Sequence, residues 1–239
     1  MRLSSAVSAL ASVLVAAPLA ACGGDALDPG AGDDPGTGSL TLLVDADLEA
    51  TPVVTNAASA DGFRTRFHVA VRKDDAPVTA GEVVVTSNGG AVSLTYDAGE
   101  ARWRGEQAGY HEVYVLSVTS GDDFVDGVRV DGPAPHHFTS PAAGATVDAA
   151  APLVVRWARG EAAAVARFET EALDELEVAD SGTFTVPIGG LRSKPGEPEQ
   201  ERLRLDRFAR VTPAGAVAGS SVRVEVRNEL ALVVAATGL

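Results

Sequence analysis

A single cysteine, Cys22, stands in 239 residues. No disulfide can close within the chain and no thiolate-rich zinc site can be assembled, so the fold must be held by its core alone. Histidine is scarce at four, lysine at two, and aromatic residues make up 5%. There is no Gly-x-Ser-x-Gly elbow, no His-Glu-x-x-His pair and no phosphate-cradling glycine loop ahead of a helix. The common signatures of serine hydrolases, zinc peptidases and nucleotide enzymes are thereby missing, and no cofactor is implied. Positive charge is in deficit: 19 Lys and Arg face 33 Asp and Glu, a formal net charge of −14. A nucleic-acid binder needs a basic face against phosphate, and this balance opposes one.

What is present begins with an export pattern. Met1-Arg2 precedes an apolar run from Leu3 to Ala21, broken only by four serines and Pro18, and the run ends in Leu19-Ala20-Ala21-Cys22. A short positive start before an apolar stretch is what export machinery reads. The serines, the proline and the marginal length disfavour a transmembrane helix. The closing four residues resemble the lipobox of bacterial lipoproteins: a branched apolar residue, two small ones, then the acylated cysteine. The resemblance implies that residues 1–21 are a signal peptide removed before Cys22. It also implies that Cys22 carries lipid (palmitate among its acyl chains) and that the membrane is a partner through that lipid. In the enterobacterial sorting scheme aspartate after the cysteine holds a lipoprotein at the inner membrane, so Gly23 implies the outer membrane.

Residues 22–38 hold four acidic and no basic groups, and glycine, proline and aspartate dominate them. Ordering such a stretch gains too little burial to offset its entropy, so a flexible acidic tether is expected, with a coil dimension on the order of 23 Å.

From Ser39 onward short alternating runs are separated by turn residues, the pattern of an all-β sandwich. The clearest run is Phe63 to Arg72. Phe63, Thr65, Phe67, Val69 and Val71 fall on one face, and Arg64, Arg66, His68, Ala70 and Arg72 on the other. Further runs at Leu40–Asp45, Glu82–Thr86, Val92–Tyr96, Ala101–Arg104, Glu112–Thr119 and Val125–Val130 make about seven strands, as in an immunoglobulin-like sandwich. The stretch "DDAPVTAGEVVV" and the Gly109-Tyr110 step into "HEVYVLSV" resemble bacterial Ig-like and carboxypeptidase-regulatory-like surface modules. Such modules serve adhesins, secreted-enzyme appendages and envelope scaffolds, so the resemblance implies a fold and a setting rather than one activity.

Gly132-Pro133-Ala134-Pro135 interrupts the pattern, and prolines that lack a ladder donor predict a hinge at 133–137. Beyond it, "SPAAGATV" before a strand ending in Trp157, and "SGTFTVP" further on, are similar to fibronectin- or Ig-like modules. The expected organisation is therefore a signal peptide (1–21), a tether (22–38), one Ig-like β-sandwich (39–132) and a second β-sandwich (133–239). Within 161–178 a strand near Val165–Thr170 competes with a short helix, because Val165, Phe168, Ala172, Leu173 and Leu176 also fit helical spacing.

Residues that bear chemistry are dispersed. Asp45, Asp47 and Glu49 alternate along one extended segment, and Asp122, Asp123, Asp126 and Asp131 crowd the end of the first half. Asp45, Asp47, Asp122, Asp123 and Asp126 are the available calcium ligands, though their spacing matches no defined calcium loop. His136-His137 project to opposite faces if extended and read as linker rather than chelator. Arg64, Arg66 and Arg72, continued by Arg102 and Arg104, form a basic row that either faces an anionic partner or is neutralised across the sheet. Trp103 and Trp157 lie in phase with apolar positions and read as core. The expectation is a lipid-anchored envelope protein acting as a non-catalytic binding or scaffold module, with an unidentified envelope protein or glycan as partner. The alternatives are an enzyme or enzyme accessory acting on wall glycans through paired carboxylates, and a purely structural spacer.

Overall fold

A computed structural model of the protein describes residues 26–237. The expected signal peptide and Cys22 lie outside the described residues. Among the described residues eighteen strands follow one another. The first half carries β1 (Thr37–Gly38), β2 (Leu43–Pro52), β3 (Phe63–Lys73), β4 (Ala76–Pro77), β5 (Glu82–Ser87), β6 (Gly90–Ser93), β7 (Thr95–Asp97), β8 (Arg102–Ala108), β9 (Val113–Ser120) and β10 (Asp123–Asp131). The second half carries β11 (His137–Ser140), β12 (Thr146–Val147), β13 (Leu153–Ala158), β14 (Val165–Glu169), β15 (Leu176–Val178), β16 (Thr183–Val186), β17 (Glu199–Val211) and β18 (Ser221–Val234). The fold is all-β and sandwich-like, with no α-helix among the described residues and a single 3-10 turn at Ala60–Gly62.

The alternation on β3 is as its sequence dictates: Phe63, Thr65, Phe67, Val69 and Val71 are buried while the arginines face outward. The helix weighed for 161–178 is not formed. Ala166 and Phe168 point into a core at period two, and β14 is held between β15 and β17. Ladder pairing and burial outweigh the helix propensity of that stretch.

Three sheets build two cores. A five-stranded antiparallel sheet runs β1-β10-β9-β5-β6, and a three-stranded one runs β11-β13-β16. The third, a ten-stranded sheet, runs β15-β14-β17-β18-β2-β3-β8-β7, with β12 beside β18 and β4 beside β3. One core gathers Phe67, Val69, Tyr114, Val125 and their neighbours, and the other Phe138, Trp157, Phe168 and theirs.

The division expected at 132/133 is corrected on one point. It separates two cores, but the sheet does not stop there. β17 and β18 form a long hairpin with thirteen paired positions from Glu199↔Val234 to Val211↔Val222. The first part of β18 pairs in parallel with β2, from Ser221↔Asp45 to Val226↔Ala50, while its end pairs in parallel with β12. On one face of β18, Val222, Val224 and Val226 complete the first core, Asn228 follows, and Leu230, Leu232 and Val234 enter the second. Along β17 the same face reads Leu203 and Leu205 in the second core, then Arg207, then Ala209 and Val211 against the first. A strand of ~13 residues spans over 40 Å, enough to cross two sandwiches end to end.

The segment expected to be a free tether is also corrected over its described part. Leu27 exchanges hydrogen bonds with the Asn88 side chain at 2.7 and 2.9 Å. The amides of Gly30 and Gly32 both donate to Asp131 Oδ2 at 3.0 Å, and Arg129 Nε donates to Gly32 O. Asp34 and Arg129 exchange backbone bonds at 3.1 and 2.8 Å, and β1 then pairs with β10. The side chains bury little, as their composition dictates. Order comes instead from backbone groups, which small residues let approach closely. A Cβ on Gly215 would fall inside the backbone of Thr37 and Gly38, so glycine is required where this strap meets the β17–β18 loop.

Candidate binding surfaces

The junction of the two cores is polar and filled. Arg207 is fully buried; its Nε donates to Asp180 Oδ2 at 2.9 Å, and its other nitrogens donate to Ala134 O and Glu161 O at 2.6 Å. Asp180 also accepts from Trp157 Nε1 and the Ala163 amide. Asn228, likewise buried, donates to Ala57 O and His136 O. Tyr110 donates its hydroxyl to Pro133 O at 2.7 Å. The prolines at 133 and 135 therefore lie in a locked junction and not in a hinge. His136, read as linker, is buried, with Nε2 3.0 Å from Leu205 O and Nδ1 without a partner. Burial, then the Arg207 charge, depresses its pKa to about 3, so the ring is neutral.

Beside this junction lies a groove of about 500 Å³ between the strap, residues 131–134 and the 160–164 loop. Its lining includes the apolar Pro29, Pro133, Ala134 and Phe208 and the acidic Asp33, Glu112, Asp131 and Glu161. Burial, opposed by Arg207, raises the Glu112 carboxyl above its ordinary range. Asp131 is engaged by Arg129 at 2.8 Å and by the strap amides.

The outer face of the ten-stranded sheet is a lattice of ion pairs that crosses both halves. Arg223 binds Asp47 at 2.9 Å and Glu225 at 3.3 Å. Arg227 gathers three carboxylates: Glu49 at 2.6 Å, Asp206 at 2.8 Å and Glu225 at 3.0 Å. Arg204 continues the lattice to Glu169 and Glu229. Burial first, and Asp206 second, push Glu225 up to about 7 in spite of its two arginines. Phe208 is covered by Arg167 and Arg223, whose guanidinium carbons lie 4.8 and 5.6 Å from the ring centroid.

The acidic residues singled out as calcium ligands are not brought together. Asp45 and Asp47 sit on β2 in the large sheet, whereas Asp122, Asp123 and Asp126 lie at the β9–β10 turn and on β10 in the five-stranded sheet. Asp123 takes Lys73 and Thr41, and Asp126 takes the Ser117 hydroxyl. Among the described residues no three His, Cys, Asp or Glu side chains converge as metal ligands. Of the basic row, Arg64 pairs with Glu106 at 3.6 Å and Arg104 with Asp97 and Glu100 at 3.2 and 2.8 Å. Arg66, Arg72 and Arg102 have no carboxylate within 4 Å among the described residues. Trp103 and Trp157 are both core residues. Sequence reasoning missed Arg207, Asn228 and the Arg227 cluster. Their signal was present, since Arg207 and Asn228 are the polar members of otherwise apolar alternating faces.

No protein-family model matches the chain, and no curated protein is significantly similar to it.

Proposed function

We propose that the protein is a lipid-anchored component of the bacterial outer membrane that acts as a non-catalytic binding or scaffold module, with an envelope protein or glycan as its partner. The observation that supports this most is the outer face of the ten-stranded sheet. Its charged groups lie side by side on one face built from both halves of the chain, and most neutralise each other laterally. Such a surface is suited to holding a partner in register. Attachment rests on the Leu19-Ala20-Ala21-Cys22 sequence.

The reading is tested by metabolic labelling with a palmitate analogue and membrane fractionation of wild type and Cys22→Ala. Wild type is expected to take label and sediment with outer membranes, and the variant to do neither. Label in both proteins, or in neither, would count against it.

One observation favours a second reading, an enzyme acting on wall glycans. The groove beside the junction holds Glu112, whose pKa is raised as in a general acid, together with Asp131 and Asp33. Peptidoglycan or glycan cleavage by the wild type that is lost in Glu112→Gln would establish that reading in place of the first.

A further inference from the structure

The lattice of ion pairs has a gap over β3 and β8. Register sets Arg66 opposite Glu106 and His68 opposite Arg104. Glu106 leans to Arg64, and Arg104 turns to Asp97 and Glu100. On the other flank β2 offers Glu49 opposite Arg66 and Asp47 opposite His68. Both of those carboxylates are drawn away, Glu49 to Arg227 and Asp47 to Arg223. Arg66 is left with no carboxylate within 4 Å among the described residues.

A hollow of about 220 Å³ opens at this place, lined by Arg66, His68, Arg104, Gly105 and Glu106. The buried Nδ1 of His68 has no hydrogen-bond partner, and neither has the buried Nε of nearby Arg102. On a chain of net charge −14, Arg66 and Arg104 thus border an open space, with the Glu106 carboxylate also in its lining and Arg66 the cation without an acidic partner. Burial, then Arg104 and Arg102, lower the pKa of His68 against the opposing pull of Glu100 and Glu49.

We propose that this hollow binds a phosphate group, either as the free anion or as an ester on a sugar. Arg66 and Arg104 are diagonal neighbours across β3 and β8, at a spacing of ~7–8 Å along the backbone that two long side chains can close over one group, and their forked donors match a group with several acceptor oxygens better than a single carboxylate does. The volume admits the phosphate and part of a sugar ring. The site lies on the folded body, so it stands or falls independently of the lipid on Cys22 and goes beyond the scaffold reading.

The test is titration of the full chain with inorganic phosphate, with glucose 6-phosphate and with glucose, following the four histidine ring signals by NMR. The His68 signal is expected to shift and saturate with the phosphate-bearing ligands and to ignore glucose. Arg66→Gln should weaken binding on the order of tenfold. Arg66 is exposed, so its replacement leaves the core intact. Arg156→Gln, exposed on β13, should change nothing. Equal affinity for the two phosphates assigns the site to the free anion, and tighter binding of the sugar phosphate assigns it to a phosphorylated glycan. Shifts of His68 that never saturate, or Arg66→Gln binding as tightly as wild type, overturn the proposal.

Discussion

Arg207 carries a charge at the point where two apolar cores meet, and its tolerance there depends on Asp180 and two carbonyls. Arg207→Leu would leave buried Asp180 with only the longer contact to Arg159 at 3.5 Å, and breaking a buried pair in this way typically costs up to about 3–5 kcal/mol. Urea unfolding should show that loss, and the double variant Arg207→Leu/Asp180→Leu should recover part of it. A single variant as stable as wild type would show that the pair contributes little. His136 makes a different prediction, in pH. Its native pKa is depressed to about 3, whereas the unfolded side chain titrates near 6.5. Between these values the unfolded chain binds a proton that the native protein does not. The His136 contribution is therefore complete above pH 6.5 and is lost as pH falls toward 3, at up to about 1.4 kcal/mol per pH unit. Wild type should lose stability more steeply than His136→Gln between pH 6 and pH 4. Parallel slopes would refute the assignment.

At the level of elements, the strap and the β17–β18 hairpin decide the architecture. Arg129 ties residues 28–34 to β10 through Asp28 O, Gly32 O and its own backbone. Arg129→Ala should speed amide exchange in residues 30–34 and leave that of β17 and β18 unchanged. Uniform protection in the variant would mean the backbone bonds suffice. The strands of the first half were legible because each short run announces its own faces, as Phe63 to Arg72 does. The hairpin was less so. Leu230 to Val234 continues the phase of Val222 to Val226, yet Asn228 between them reads as a break until its two carbonyl partners are known. The strap was misread for a related reason: composition reports side-chain burial, and this segment is held by its backbone. The basic row was visible in the sequence, but which arginines stay unpaired depends on the register of β2 against β3 and β18.

For the whole molecule, one shared sheet predicts one cooperative unit. Heat or urea should give a single transition seen alike by the near-ultraviolet signals of Trp103 in the first core and Trp157 in the second. Limited proteolysis should leave one fragment spanning both halves, because Pro133 and His136 are buried. Cleavage first at 133–137 would contradict this. A fragment of residues 26–132 lacks Val211, Val222, Val224 and Val226 and should stay unfolded by circular dichroism. The order of synthesis gives the shared hairpin a further meaning. A ribosome delivers the amino-terminal half first, and pairings of this sequence separation form slowly. The strand that closes the first core, Ser221–Val234, is made only after the whole of the first half. Until that strand arrives the first half is thus a sandwich with one wall unfinished, and its folding waits on a distant part of the same chain.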